Sequence, residues 1–233
     1  MSTTLDVPGS AAGSPPTRVY STLTLAYLLD RLGGIPADRV RLDPPPGHAT
    51  FEDLVRVNEQ RSGPTCEWVE NTLVEKAMGF HESWLAIIIA GKLYASLETN
   101  NVGMVAGEAG VMRILPGIGR APDVSFISWK SLPDGKPPPR SEKVPAIVPD
   151  LVVEVLSASN TPREMARKRD EYFRAGVKVV WEIDPESRSA NVFTGPGIVT
   201  PVPVDGTLDG GDILPGFTLP LRDVFSRAEQ GAE

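Results

Sequence analysis

Glu154 stands at the centre of an otherwise apolar run, Leu151-Val152-Val153-Glu154-Val155-Leu156. A carboxylate buried in such a strand is costly unless a cation or a hydrogen-bonding partner answers it. In the segment that follows, Met165, Tyr172 and Ala175 share one helical face, and Lys168 falls between them, so its ammonium is directed at the strand. Arg169 lies at the edge of the same face and is a weaker competitor for that role. Asp123, at the start of Asp123-Val124-Ser125-Phe126-Ile127, brings a second carboxylate from another strand. Two carboxylates can hold Mg²⁺, which polarises a phosphoryl oxygen and lowers the pKa of a bound water. A lysine beside them orients that water or stabilises developing charge. That chemistry is phosphodiester hydrolysis. The same three residues also suit a structural Asp–Lys–Glu network, and taken alone they leave both readings open.

The elements that must carry these groups are legible around them. Asp150, Val152, Glu154 and Leu156 alternate with Leu151, Val153 and Val155, and both sets are mostly apolar, which marks a central strand covered on both sides. The helix after it has Thr161 as N-cap, Pro162 at the first helical position, Glu164 completing a capping box and Gly176 past the last turn. Val177 to Ile183 is a strand, turned by Asp184-Pro185, with Ser189 to Thr194 returning beside it.

Upstream, Leu23, Leu25, Leu28, Leu29 and Leu32 repeat with helical spacing up to Gly33-Gly34, and Thr50 with Asp53 starts a second helix from Phe51 to about Gln60. Glu67 to Glu75 reads as a hairpin about Asn71-Thr72, and Phe80 to about Glu98 as a helix apolar enough to be central and buried. Gly117-Ile118-Gly119 reads as a turn. The proline-rich connection from Ser128 to Pro149 is irregular, and the tail ends in a strand or turn and a short helix over Leu219 to Phe225.

Composition excludes several functions. One cysteine, Cys66, rules out an internal disulfide framework and a Cys-rich zinc module. Two histidines, His48 and His81, rule out a His-rich metal site. No Gly-x-Ser-x-Gly elbow or phosphate-binding Gly-x-x-x-x-Gly-Lys is present. The net charge of −7 argues against a protein that coats nucleic acid non-specifically, though not against a local basic groove. Arg163, Arg167, Lys168, Arg169 and Arg174 cluster on one helix, and Lys130, Lys136, Arg140 and Lys143 in one loop; solvated surface is the default reading of each. The apolar stretch from Trp84 to Ala90 is too short to span a bilayer, so no membrane role and a cytoplasmic location are expected.

The ordered set Glu67-Trp68-Val69-Glu70, His81, Pro122 to Phe126, Pro149 to Ser157, Lys168 through Tyr172 to Gly176-Val177, Trp181 to Pro185 and Leu214 to Phe217 resembles the Uma-type family of restriction endonucleases, within the PD-(D/E)XK nuclease superfamily. The resemblance covers roughly residues 64–226. It implies an α/β fold, a restriction-endonuclease-like mixed β-sheet core flanked by helices, in residues 64–233; composition and periodicity read residues 1–19 as a disordered lead and 20–63 as a helical accessory segment. It further implies Asp123 and Glu154 as ligands of Mg²⁺, or of Mn²⁺ in its place, and Lys168 as the catalytic lysine. The superfamily's usual lysine position, two after the glutamate, is Leu156 here; the Uma-type pattern moves it to the next helix. Glu67 matches an acidic position that assists the metal site and joins the implied catalytic set, and His81 matches a recurrent histidine, whose plainer reading is a core or capping residue. Glu182 falls where an apolar residue is expected, which leaves an edge position or a local peculiarity as its reading, and it is not assigned to the site. The implied partner is nucleic acid, with DNA the expected substrate and a homodimer the expected unit. The alternative is a catalytically inactive nuclease-fold module that binds nucleic acid or protein.

Overall fold

The computed structural model describes residues 24–60, 63–77 and 79–229; the expected lead over 1–19 lies outside them, as does Leu23. In chain order the elements are α1 (Leu25–Arg31), α2 (Phe51–Gln60), β1 (Cys66–Val69), β2 (Thr72–Glu75), α3 (Phe80–Thr99), β3 (Gly103–Gly107), β4 (Met112–Leu115), β5 (Ile118–Arg120) and β6 (Val124–Ser128). They continue with β7 (Leu151–Val155), α4 (Pro162–Ala175), β8 (Val179–Asp184), β9 (Ser189–Gly195), β10 (Ile198–Val202), β11 (Thr207–Asp209), β12 (Thr218–Pro220) and α5 (Leu221–Glu229).

A six-stranded sheet runs β10-β9-β8-β7-β6-β3, and a smaller one runs β2-β1-β5-β4. β7 is interior, parallel to β8 and antiparallel to β6. All five of its residues are buried, as an apolar run covered on both faces requires. Leu151, Val153 and Val155 pack into a core with Leu85, Ile89 and Leu93 of α3 and Val224 and Phe225 of α5. Val152, on the opposite face, packs with Tyr172 of α4, Val177 and Val180. α4 therefore covers the face that carries Glu154.

The capping signals around α4 hold in part. Thr161 Oγ1 accepts from the Glu164 amide at 3.0 Å, and Gly176 takes a left-handed φ of 108° past the last turn. Glu164 does not fold back as a capping box. Its carboxylate is held by the fork of Arg39 at 2.7 and 3.0 Å, because two charge-assisted bonds outweigh one to a backbone amide. Thr161 also donates to the Gly33 carbonyl at 2.5 Å, and Arg163 pairs with Asp30, so the segment after α1 is fastened to the start of α4. Thr161→Ala is expected to lower stability by about 1–2 kcal/mol, the cost of a lost N-cap, read as a shift in the urea midpoint without a change in slope.

Three expectations are corrected, and one strand is new. The β1–β2 turn is Glu70-Asn71, both at positive φ, one residue earlier than expected; Thr72 already pairs with Val69. Ile118–Arg120 is a strand: the turn is Pro116-Gly117, with Gly117 at φ 76°, and a Cβ at Gly119 would stand 2.9 Å from the Leu54 Cδ2 methyl. α3 is half-exposed rather than central. Leu85, Ile89, Leu93 and Leu97 face the sheet, whereas Phe80, Ile87 and Tyr94 face outward, since the sheet covers only one side. β10 was not foreseen; its residues are largely exposed and carry weak alternation. The long connection from Ser128 to Pro149 contains only two short 3₁₀ turns, as its prolines require. Among the described residues, no helix is long and apolar enough to cross a membrane.

Candidate active site

The β6–β7 register pairs Val124 with Val153, which sets Asp123 across from Glu154 on the same face. Both side chains are buried. Lys168 meets them from α4: its Nζ lies 3.2 Å from Glu154 Oε2 and 3.5 Å from Glu67 Oε1. Tyr172, one helical turn further on, donates its hydroxyl to Glu154 Oε1 at 2.5 Å. The structure thus brings Glu67, Glu154 and Lys168 into one network and sets Asp123 beside it.

Asp123 is engaged by groups of its own. Its Oδ2 accepts from the Val155 amide at 2.6 Å. Its Oδ1 is buried without a hydrogen bond of good geometry and faces Lys76 Nζ at 2.5 Å. Lys76 also donates to the Ala121 carbonyl. Glu67, on β1, accepts from Arg120 Nη1 at 2.6 Å and the Ala121 amide at 3.2 Å. Arg120 bonds Glu171 with Nε and Nη2, and Glu171 in turn accepts from Arg167 at 2.8 Å. The smaller sheet and its following residue therefore supply Glu67, Arg120 and Lys76, the larger sheet Asp123 and Glu154, and α4 Lys168, Glu171 and Tyr172.

Burial and charge set the protonation of these groups. Burial disfavours the charged form of Lys168, yet Glu154 and Glu67 hold its proton more tightly than in a free lysine. It stays an ammonium, suited to stabilising negative charge rather than to taking a proton. Burial pushes the Glu154 carboxyl up against the opposing pull of Lys168, with Asp123 and Glu67 adding to the rise. Burial would also raise Glu67, but Lys168, Arg120 and Lys76 together hold it down at about 2. Since this folded value lies below the ordinary 4.5, the stability that ionised Glu67 contributes is complete above 4.5 and is lost as pH falls toward about 2. Urea midpoints measured across that acid window should fall more steeply for the wild type than for Glu67→Gln.

The donor set suits a hard divalent cation. Asp123, just before β6, and Glu154 of β7 offer oxygens only, although Asp123 Oδ1 is already ion-paired with Lys76. Among the described residues no group of three or more acidic, histidine or cysteine side chains could hold a metal. Two carboxylates are compatible with Mg²⁺, which usually keeps several waters and takes further ligands from substrate phosphate. A cleft of about 610 Å³ opens onto Asp123 between Phe80, Trp84 and Ile87 of α3 and the turn from Gly107 to Gly110.

Two other expectations resolve differently. His81 is neither core nor cap: Gly79 caps α3, and His81 is exposed, lining a separate recess of about 710 Å³ with Leu156, Arg169 and Glu182. Glu182 is not at an edge. It lies on interior strand β8 beside Glu154 and is paired with Arg169 at 2.5 Å. That pairing removes Arg169 from competition with Lys168. Arg163, Arg167 and Arg174 also have carboxylate partners, so the basic residues of α4 are spent on the protein itself.

Sequence reasoning missed Lys76, Arg120 and Glu171. Arg120 ends a strand that was read as a turn, and Lys76 follows a hairpin without periodicity to orient it.

The mixed six-stranded sheet flanked by helices is of the restriction-endonuclease-like class of α/β folds. The family model described as "Uma2: Putative restriction endonuclease" matches residues 49–222, and the chain belongs to that family. The match begins at residue 49, earlier than the 64 expected. A solved structure described as a "putative nuclease belonging to DUF820" from Anabaena variabilis has the same fold, with a TM-score of 0.62 at 18% identity over 71% of this chain and 92% of that one. No curated protein matches the chain.

Proposed function

We propose that the chain is a Mg²⁺-dependent endonuclease that hydrolyses phosphodiester bonds in DNA, with Mn²⁺ able to replace Mg²⁺. Asp123 and Glu154 are the metal ligands, Lys168 the catalytic lysine, and Glu67 the acid that helps to hold Lys168 in position. The observation that carries this reading is the convergence of the Asp123 and Glu154 carboxylates with a buried ammonium from α4. Bound there, the metal would supply Lewis-acid activation of the phosphoryl group and of a water. Lys168 offers a fixed positive charge to the phosphorane oxygens. Tyr172 and Glu67 restrict where Glu154 and Lys168 can point, and the cleft at Asp123 is the route by which a phosphate approaches. Cutting both strands of a duplex takes two such sites, so the working unit we propose is a homodimer.

The test is cleavage of duplex DNA by the full chain with Mg²⁺, with Mn²⁺ and with chelator, beside calorimetric titration of each metal. Cleavage that survives chelation overturns the metal assignment. A second reading is an inactive module that binds nucleic acid or protein. It is favoured by the fact that Glu154 and Asp123 already have internal cationic or hydrogen-bonding partners. Absence of metal binding and of cleavage together would select it.

A further inference from the structure

Lys76 is the unexpected member of the site. It is buried, it lies just past β2, and its Nζ stands 2.5 Å from Asp123 Oδ1, the oxygen that accepts no well-formed hydrogen bond. Its other contact is the Ala121 carbonyl. An ammonium at that distance neutralises the carboxylate and excludes a second cation from the same oxygen. We propose that Lys76 competes with the divalent cation for Asp123 Oδ1, so that metal binding requires its ammonium to leave. The inference rests on the metal assignment made above and adds a control on metal loading to it.

The electrostatics lead there directly. Asp123, Glu154 and Glu67 carry three negative charges, and Lys76 and Lys168 face them with two positive ones, so the cluster is left with a single net negative charge. A divalent ion placed beside both lysines would leave the buried site with excess positive charge, which is expensive at low dielectric. Lys168 is ion-paired to both Glu154 and Glu67, whereas Lys76 is ion-paired to Asp123 alone, with Glu67 and Glu154 acting on it only at longer range, and it lies beside the residue that opens onto the 610 Å³ cleft. Lys76 is therefore the group that yields. Metal affinity is set by the cost of moving it, and a phosphate in the cleft would favour the move by giving the ammonium a new partner.

The experiment is Mn²⁺ titration by calorimetry on the wild type, Lys76→Met, Lys76→Arg and Asp123→Asn, with thermal unfolding of each at zero and saturating Mn²⁺. Lys76→Met should bind Mn²⁺ at least about tenfold more tightly than the wild type and show the larger rise in Tm. Lys76→Arg, which keeps the charge, should bind no more tightly than the wild type. Should Lys76→Met fail to fold, amine acylation of Lys76 in the wild type, followed by mass spectrometry, should increase when Mn²⁺ is added. Equal affinity in the wild type and Lys76→Met, or labelling that does not respond to Mn²⁺ in a protein whose metal binding depends on Asp123, overturns the inference while leaving the metal site standing. Binding that Asp123→Asn does not weaken overturns the metal assignment itself and the inference with it.

Discussion

Glu154→Gln is expected to reduce metal-dependent DNA cleavage by about 10²–10³-fold while leaving the protein folded. Glutamine fills the same volume, and its carbonyl can still accept from Tyr172 Oη, now 2.5 Å from Glu154 Oε1, or from Lys168. What it removes is the negative charge and the hard ligand oxygen, the two properties that metal binding uses. Single-turnover cleavage measured beside the urea midpoint separates the effects. Asp123→Asn and Lys168→Met should reduce cleavage by similar factors, and Lys168→Met should do so without weakening Mn²⁺ binding. If Glu154→Gln and Asp123→Asn both cut at the wild-type rate, the site lies elsewhere.

Arg120→Met is expected to cost about 3–5 kcal/mol of stability, the usual penalty for removing one partner of a buried ion pair. Arg120 bridges Glu67 of β1 and Glu171 of α4, and all three side chains are buried. Without the guanidinium, two carboxylates face each other across a medium that cannot solvate them. Arg120→Lys should recover only part of the loss, because a single ammonium cannot reproduce bonds from Nε and both terminal nitrogens. Denaturant unfolding in the pH range where both acids are ionised provides the measurement. A loss below about 1 kcal/mol would mean that water reaches the carboxylates and that the network is not sealed.

The two predictions probe different halves of one device. Glu154 belongs to the face where chemistry is proposed, and Arg120 to the support that fixes Glu67 and, through it, Lys168. Because the support joins the smaller sheet to α4, losing it should also loosen Lys168. Residual activity in a folded Arg120→Lys variant would measure how much of that positioning survives.

The sequence by itself determined the central strand, the helix that follows it and the meeting of their charged residues. Strand alternation places Glu154 on a defined face, helical periodicity places Lys168 on the face that covers it, and Thr161, Pro162 and Gly176 fix where that helix begins and ends. These are local rules with periods of two and of three to four residues, so they are readable without a fold. It could not determine how many sides of α3 would be covered, since apolar residues around a helix do not say where the sheet ends. Nor could it find Lys76 or Arg120, whose partners are more than forty residues away in the chain and are chosen only when the smaller sheet packs against β6 and α4. Long-range charge pairing has no sequence period. That is why the opening residues Glu154 and Lys168 were visible from the start, and why the second lysine at Asp123 was decided by the tertiary structure alone.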